Sequence, residues 1–430
     1  MLRNASISAA LIVWIPLTAA GALPNYADME LQARSNLLVN DNGYNLPPGS
    51  SFNSISADID DSAMVAFRVQ LVPDEEHPNQ YRPGVWFGGH GAGALVYIGP
   101  IDASIDNDVC LTHFDGSDIV SIPFTLSATG VGNNLYLYGG TVAGGGSAEP
   151  FNTAPVIPNS YSYPCLGIAG TMSFQADYGS GRAYVTVIDD GGIEVTSFIG
   201  DEGVTPGSPY TYLYTPSFND HAAIAAKVSY SEDMTSSLEI RLFTNGGDSQ
   251  RLLANDTLDP SSPYSRFDNS LALNNDDTIA VVATRAADNR RVLVRSDGVT
   301  TVELAEVDPS GTIRDIEFFA PTINDDGLVA FRAKDADGQA IYVADGIELK
   351  RVIGNADIVQ TDLGTAQIGQ DNSSDPIFSG KPAINAHGDI AFIVGLYPQG
   401  DNQEEWGSGV FVAYAESVVD DIVFADGFDG

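Results

Sequence analysis

The sequence predicts an all-β protein, a seven-bladed β-propeller that its N-terminal strand closes into a ring. Three observations lead to this fold class. A unit typified by Ile-Asn-Asp-Asp-Gly-Leu-Val-Ala-Phe recurs seven times, the copies are nearly evenly spaced, and each is followed by short strands separated by turns. Helical periodicity is absent, which favours a repeated β-structure.

The repeat is clearest at residues 323–331, and residues 384–392 and 59–67 are further good copies. The remaining copies, near 114, 166, 218 and 273, fit less closely. Successive starts are separated by 50 to 61 residues. A unit of this length holds four strands, which is the size of a propeller blade and much longer than one coil of a β-helix.

Each unit begins with a tight turn and continues into a strand. The Asn caps the turn and the Gly supplies a positive φ. The position of Ala330 is occupied by a small residue in every copy, as expected where blades converge near the ring axis. Ala63 and Ala222 stand at the Gly position, and because Ala adopts a positive φ reluctantly, we expect blades one and four to turn differently.

The two ends of the repeat region predict how the ring closes. The seventh unit is followed by a single strand near residues 410–415, so its blade lacks an outer strand. A strand-like segment at 29–39 precedes the first unit. We expect this segment to complete blade seven and to remove an exposed sheet edge.

The composition restricts the partners of the protein. The formal net charge is −38 and the pI is about 4.1, which excludes nucleic acid and anionic membrane surfaces by repulsion. Asp accounts for 42 of the 57 acidic residues, and Asp is typical of turns. We expect a monomer that binds a protein or a glycan, if it binds anything.

Residues 1–22 resemble an export signal. Arg3 precedes an apolar stretch at 5–17, and Ala20-Gly21-Ala22 offers a cleavage site. The sequence therefore predicts a secreted or cell-surface protein, or a periplasmic one, with a propeller at 23–415 and a tail at 416–430. No later segment approaches the ~20 apolar residues that cross a bilayer.

The two cysteines, Cys110 and Cys165, are 55 residues apart, which is about one repeat. In an oxidising compartment they are expected to form a disulfide between adjacent blades. Two free buried thiols are the alternative.

At residues 324–331 and 385–392 the chain resembles the exported tandem-repeat propeller family named for its NxxGxxAF unit, whose members carry varied C-terminal sorting or anchoring tails. The resemblance covers about residues 29–415. The segment 421–428 is similar to short terminal tails on secreted proteins of Gram-negative bacteria. The resemblance implies the fold and export, and it implies no activity.

No catalytic motif is present. The sequence lacks Gly-x-Ser-x-Gly and His-x-x-x-His, so we assign no catalytic residue. Calcium is the one cofactor that the Asp-rich turns suggest, although their spacing differs from that of an EF-hand loop and turn formation alone explains them. The candidate ligands are Asp58, Asp60, Asp61, Asp335 and Asp337.

A candidate ligand site follows from comparing the blades. The gap between the second and third strands spans 18 residues in blades one and seven, against about ten in blades three, five and six. Ring closure makes these two blades neighbours, and equivalent loops share a face of the ring. The gaps and their edges carry the carboxylates and aromatic rings that a saccharide or a cation requires: Glu75, Glu76, Tyr81, Tyr397, Asp401, Glu404, Glu405 and Trp406.

The sequence thus favours an exported, non-catalytic propeller that binds a protein or a glycan or serves as a surface scaffold. Two alternatives stay open. One is a carbohydrate-active enzyme, a glycosidase or a lyase, and the other is a calcium-stabilised structural protein.

Overall fold

The computed structural model describes residues 22–35, 43–51, 55–72, 80–113, 117–143, 145–189, 192–244, 249–370, 376–401 and 404–416. Within these ranges the chain forms seven β-sheets, and these sheets are the blades of a ring, which confirms the predicted seven-bladed β-propeller. The described residues contain no helix that could cross a membrane.

Most blades are four-stranded antiparallel sheets with the innermost strand first in the chain. Blade one contains β2 (Asp58–Ile59), β3 (Val65–Leu71), β4 (Arg82–Gly89) and β5 (Ala92–Ile98). Blade two contains β6 (Ala103–Ile105), β7 (Thr112–His113), β8 (Ile119–Ala128), β9 (Gly132–Thr141) and β10 (Gly146–Pro150). Blade three contains β11 (Ser160–Leu166), β12 (Thr171–Asp177), β13 (Arg182–Asp189) and β14 (Ile193–Gly200). Blade four contains β15 (Tyr212–Phe218), β16 (Ile224–Ser229), β17 (Leu238–Phe243) and β18 (Ser249–Ala254).

Blade five contains β19 (Tyr264–Leu273), β20 (Ile279–Arg285), β21 (Arg291–Ser296) and β22 (Thr301–Glu306). Blade six contains β23 (Asp315–Ile316), β24 (Thr322–Ile323), β25 (Val329–Lys334), β26 (Gln339–Ala344) and β27 (Leu349–Gly354). Blade seven contains β1 (Met29–Arg34), β28 (Ile358–Thr361), β29 (Gly364–Ile368), β30 (Phe378–Ile384), β31 (Ile390–Pro398) and β32 (Gly407–Ala413).

The N-terminal strand closes the ring as predicted. β1 pairs antiparallel with β32, from Met29 opposite Ala413 to Arg34 opposite Gly409. β1 is therefore the outermost strand of blade seven, although it comes first in the chain. Because the first and last strands share one sheet, this pairing joins the two ends of the propeller region.

The turn between the two innermost strands is the same in every good copy of the repeat, and the expectation for blades one and four is wrong. Ala63 and Ala222 have φ values of 56° and 60°, close to the 79° and 87° of Gly327 and Gly388. The chain therefore accepts the strain of a left-handed Ala, of about 1–2 kcal/mol at each site, and keeps the turn. We call the face of the ring that carries these turns the turn face, and the opposite face the loop face.

The Asn of the repeat ties each blade to the next. Its Oδ1 accepts a backbone N–H within its own turn, as Asn324 does from Leu328 at 2.9 Å. Its Nδ2 donates across the blade boundary to the carbonyl of the equivalent residue. These bonds form the Asn belt: Asn219 to Asn274 (3.1 Å), Asn274 to Asn324 (3.0 Å), Asn324 to Asn385 (3.2 Å) and Asn385 to Asp60 (3.0 Å).

A second tie lies closer to the loop face and was not predicted. The residue that follows the Ala-Phe pair of the repeat is a long polar side chain in four blades, and each reaches a backbone carbonyl of the next blade where that blade's innermost strand is irregular or interrupted. The bonds are Arg68 to Ile105 (2.6 Å), Gln175 to Tyr214 (2.9 Å), Lys227 to Phe267 (3.1 Å) and Arg332 to Gly380 (2.6 Å). A carbonyl that the sheet ladder leaves unpaired thus gains a partner.

The predicted disulfide is present, and it lies at the weakest part of the repeat. Cys110, just before β7, is bonded to Cys165 in β11, so the bridge joins blades two and three. In blade three the Asn of the repeat is replaced by Gly167, which has no side chain to continue the Asn belt. The hydroxyl of Thr112 donates instead to the carbonyl of Leu166 at 2.5 Å.

Candidate functional site

The residues of the ligand site that the sequence predicts belong to the loop face, and the structure describes only some of them. Glu75 and Glu76 lie outside the described residues. Tyr81, Asp401 and Glu404 are exposed, as a ligand site requires. Glu405 and Trp406 are half-buried.

Tyr397 is a correction to that prediction, because its side chain is only 2% exposed. The 18-residue gap of blade seven is not one long loop. β31 continues to Pro398, and its extension pairs with β29, where Gln367 lies opposite Tyr397. The extra length of blade seven is thus used for longer strands and for the β28–β29 hairpin, a device that the repeat pattern does not reveal.

Trp406 belongs to the interior more than to a binding surface. Its side chain packs against the apolar core between blades six and seven. Its carbonyl accepts a hydrogen bond from the Arg34 guanidinium at 3.0 Å. Trp86, the other Trp of the predicted propeller, is fully buried and stacked on Phe67.

The candidate calcium ligands are occupied by turn and inter-blade contacts. Asp58 accepts the N–H of Leu111 at 2.8 Å, and burial raises the pKa of its carboxyl although this bond opposes the shift. Asp60 and Asp335 cap their own turns, and Asp335 also pairs with Arg351 at 3.0 Å.

The two other candidate calcium ligands differ in their surroundings. Asp61 accepts the N–H of Ala386 in blade seven at 2.8 Å, so it links two blades. Asp337 is exposed in the turn capped by Asp335. In the described part of the chain no three His, Cys, Asp or Glu side chains are grouped so that they could hold a metal ion.

The structure instead draws attention to the seam between blades seven and one, where the ring closes. A cavity of about 620 Å³ lies there, and we call it the seam cavity. It is lined by residues from five separate parts of the sequence: Asp28, Met29, Glu30, Leu31, Tyr44, His90, Gln360, Thr361, Asp362 and Tyr414.

One wall of the seam cavity is β1 and the tip of the β28–β29 hairpin. The hairpin tip is fastened by Asp362, whose two carboxylate oxygens accept from Nε and Nη2 of the fully buried Arg34 at 2.8 and 2.9 Å. A bidentate pair of this kind fixes geometry as well as charge. Gln360 and Thr361 are thereby held beside the outer strand of blade seven.

The other wall comes from the segment after β1 and from the β4–β5 turn of blade one. The Tyr44 hydroxyl donates to the Gly91 carbonyl at 2.8 Å, and the Gly91 N–H donates to the buried Gln32 side chain at 2.9 Å. Asn45 reaches the same carbonyl at 2.9 Å. These bonds hold His90, the residue before Gly91, at the rim of the cavity.

Glu30, Tyr414 and His90 form a polar chain along the cavity. The Tyr414 hydroxyl donates to Glu30 at 2.7 Å and lies 3.4 Å from Nδ1 of His90. The rings of His90 and Tyr414 are nearly parallel, with centroids 6.4 Å apart. Burial and the hydrogen bond to Glu30 raise the pKa of Tyr414, so the phenol stays protonated and remains a donor.

The seam cavity is a different surface from the ligand site that the sequence predicts, although both lie at blades one and seven. Ring closure predicts that blades one and seven are neighbours, and the seam cavity lies between them. Its residues, however, stand at the outer strand and at a turn, outside the gaps that were compared. Asp28, just before β1, and the β28–β29 hairpin lie outside the repeated unit. An alignment of the units therefore could not place them beside the cavity.

The fold and its seam define this chain as a β-propeller. No family model matches the sequence, and the search of curated proteins gave no match. Among solved structures, the β-propeller domain of the Trilobed protease from Pyrococcus furiosus is 10% identical, with 83% of this chain and 98% of that chain covered and a TM-score of 0.49.

Two further similar structures come from different proteins. A puromycin-hydrolysing peptidase of Mycobacterium tuberculosis is 11% identical, with 89% of this chain covered and a TM-score of 0.48, and the match spans only 53% of that longer chain. The six-bladed lectin of Aleuria aurantia, described by its fucose recognition, is 8% identical over 69% of this chain and 94% of that chain, with a TM-score of 0.36. At these identities the likeness concerns the fold alone.

Proposed function

We propose that this chain is an exported, non-catalytic binding propeller that takes a small neutral or amine-bearing glycan in the seam cavity. One observation carries the proposal. The cavity combines aromatic rings, carboxylates and an amide on a surface that ring closure brings together. Rings supply stacking area for a sugar face, and the polar groups supply donors and acceptors for its hydroxyls.

The charge of the protein supports this choice of ligand. Asp28, Glu30 and Asp362 line the cavity, and the whole chain carries a net charge of −38. Both would repel a phosphate or a uronic acid. A neutral sugar or an amino sugar avoids that repulsion.

The arrangement of the carboxylates favours binding over hydrolysis. A glycosidase uses one protonated and one ionised carboxyl group. Asp362 is paired with Arg34, and Glu30 accepts the Tyr414 hydroxyl, so both carboxyl groups are already engaged in contacts within the protein. Neither is arranged as a proton donor to a glycosidic oxygen.

Export is supported by the disulfide between Cys110 and Cys165, because such bonds persist in oxidising compartments. The apolar stretch and the Ala-Gly-Ala site of residues 1–22 point the same way. The proposal covers a final location at the cell surface, in the periplasm or in the medium.

The test is a glycan array with the exported protein, followed by calorimetric titration of the strongest glycan into three proteins. Wild type and His221→Ala, an exposed His of blade four, are expected to bind equally. His90→Ala is expected to weaken binding at least tenfold. Equal binding by His90→Ala, selective binding of acidic glycans, or release of reducing ends from the bound glycan would overturn the proposal.

A further inference from the structure

The N-terminal residues of the described chain are built into the protein interior. Leu23 and Tyr26 are 4% and 6% exposed, and both belong to the apolar core between blades six and seven. The Tyr26 hydroxyl donates to the carbonyl of Gly388 in the turn of blade seven at 3.0 Å. Asn25 exchanges backbone hydrogen bonds with Glu416, at 3.1 and 2.8 Å, beyond the last strand.

Ala22 is exposed, whereas the next residue, Leu23, is buried. The change from an exposed to a buried residue thus falls at the Ala22–Leu23 bond. This bond also follows the Ala-x-Ala pattern that an export peptidase recognises.

The backbone nitrogen of Leu23 faces a carboxylate. It lies 3.4 Å from Oε2 of Glu348, in the turn between β26 and β27 of blade six. Lys350 of the same blade donates through Nζ to the Pro24 carbonyl at 2.8 Å. The residues around this position thus supply a carboxylate for the nitrogen of Leu23 and an ammonium for the next carbonyl.

We propose that the Ala22–Leu23 bond is the processing site and that the new α-ammonium of Leu23 forms an ion pair with Glu348. Hydrolysis of this amide consumes one water, leaves a carboxylate on Ala22 and leaves an amine on Leu23. The amine takes up a proton at neutral pH, since a free α-amino group has a pKa of about 7.7–8.0. A neutral N–H donor thereby becomes a full positive charge within ion-pair distance of Glu348.

A cut elsewhere would not give this result. A cut one bond upstream places the ammonium on the exposed Ala22 and leaves the Leu23 nitrogen beside Glu348 as a neutral amide. A cut downstream removes the buried side chain of Leu23 from the core. The pair therefore couples processing to the closure of the ring, because it joins the N-terminal segment of blade seven to blade six.

Other charged groups near Leu23 also affect how the charge of its α-amine depends on pH. The neighbouring cavity is lined by Asp326 and Asp345, by His387 and by Arg295, in addition to the contacts of Glu348 and Lys350. Of the carboxylates, Glu348 is the one within 3.4 Å of the Leu23 nitrogen. Its replacement therefore isolates the pair.

The experiment starts from the full precursor, expressed with export in a Gram-negative host. Sequencing of the exported protein is expected to give Leu-Pro-Asn-Tyr as the first four residues. The rate at which an acylating reagent labels the α-amine is then measured against pH by mass spectrometry. At pH 7 wild type is expected to be labelled about tenfold more slowly than Glu348→Gln, because the carboxylate raises the pKa of the amine.

Glu149→Gln, an exposed change in blade two, is the matched control and is expected to match wild type. Equal labelling of wild type and Glu348→Gln, or a first residue other than Leu23, overturns the inference. The inference rests on the export part of the proposed function, and the two fail differently. An uncleaved chain retained in the cytoplasm contradicts both, whereas cleavage at another bond contradicts this inference alone.

Discussion

Replacing Asn324 by Asp separates the two tasks of the repeat Asn. The carboxylate keeps the acceptor that Leu328 uses at 2.9 Å, so the turn remains capped. It lacks the Nδ2 donor, which bonds the carbonyls of Asn385 and Ala386 at 3.2 and 3.4 Å. The Asn385 carbonyl keeps the N–H of Gly388 as a partner, at 3.0 Å. Blade one has this arrangement naturally, because Asp60 caps its turn through acceptor oxygens alone.

The magnitude follows from the bonds lost. Two hydrogen bonds at about 0.5–1.5 kcal/mol each lower the free energy of unfolding of Asn324→Asp by about 1–3 kcal/mol. Asn324→Ala also removes the cap and is expected to lose about 1 kcal/mol more. The control is Asn152→Asp, which adds the same charge at an exposed position between blades two and three and keeps the acceptor that Ala154 uses at 3.1 Å.

The assay is guanidinium unfolding followed by the fluorescence of Trp86 and Trp406, with the midpoint compared at constant slope. Asn152→Asp is expected to lie within about 0.5 kcal/mol of wild type, as surface changes do. If Asn324→Asp does so as well, the Asn belt contributes nothing to stability. If Asn324→Ala equals Asn324→Asp, the cap contributes nothing.

Three further predictions concern the other ties. Changing Cys110 and Cys165 to Ala removes the cross-link that closes a 55-residue loop. In thermal unfolding this is expected to lower the stability by about 4 kcal/mol through chain entropy. Dithiothreitol should then lower the stability of the wild type and leave that of the variant unchanged. Arg332→Met leaves the half-buried Glu317 without its guanidinium and with Gln339 as its remaining donor. The loss is expected to be about 3 kcal/mol in urea unfolding, at the lower end for a broken buried pair, and the double variant with Glu317→Gln is expected to recover part of it. Burial lowers the pKa of Lys227 to about 8, against about 10.4 in an unfolded chain, so between these values the unfolded chain holds more protons and stability rises with pH. The unfolding free energy of wild type relative to Lys227→Gln is expected to be higher at pH 10 than at pH 8. An equal difference at the two pH values would contradict the lowered pKa of Lys227.

The fold could be predicted because its information is local and repeated. The Asn-x-x-Gly turn, the small residue at the position of Ala330 and the spacing of the copies each describe one blade, and seven copies describe a ring. Ring closure by β1 followed from a missing strand. The turns of Ala63 and Ala222 were predicted wrongly because the packing of the blades outweighs the preference of a single residue.

Only the donor side chain of each inter-blade hydrogen bond could be predicted from the sequence. A long polar residue after the Ala-Phe pair, such as Arg68 or Arg332, is visible in the sequence. Its partner is a backbone carbonyl at an irregularity in the next blade, and no side chain marks that position. The signal that could have found it is a charged residue recurring in a strand that is otherwise apolar.

The candidate site was the least predictable feature. Its walls come from Glu30, Tyr44, His90, Asp362 and Tyr414, which are far apart in the chain and lie outside the repeat frame. Loop length was a poor guide, because in blade seven the additional residues extend β31 and pair with β29. Because ring closure brings these walls together, no local sequence pattern marks the cavity.

Hydrogen–deuterium exchange with the strongest glycan of the array tests the location of the binding site most directly. Protection on binding is expected in the peptides that cover residues 28–34, 88–92 and 358–363, which line the seam cavity. Peptides that cover the loop-face residues Tyr81 and Glu404 are expected to exchange at unchanged rates. Protection at the loop face without protection at the seam would contradict the account and would return the binding site to the surface that the sequence first suggested.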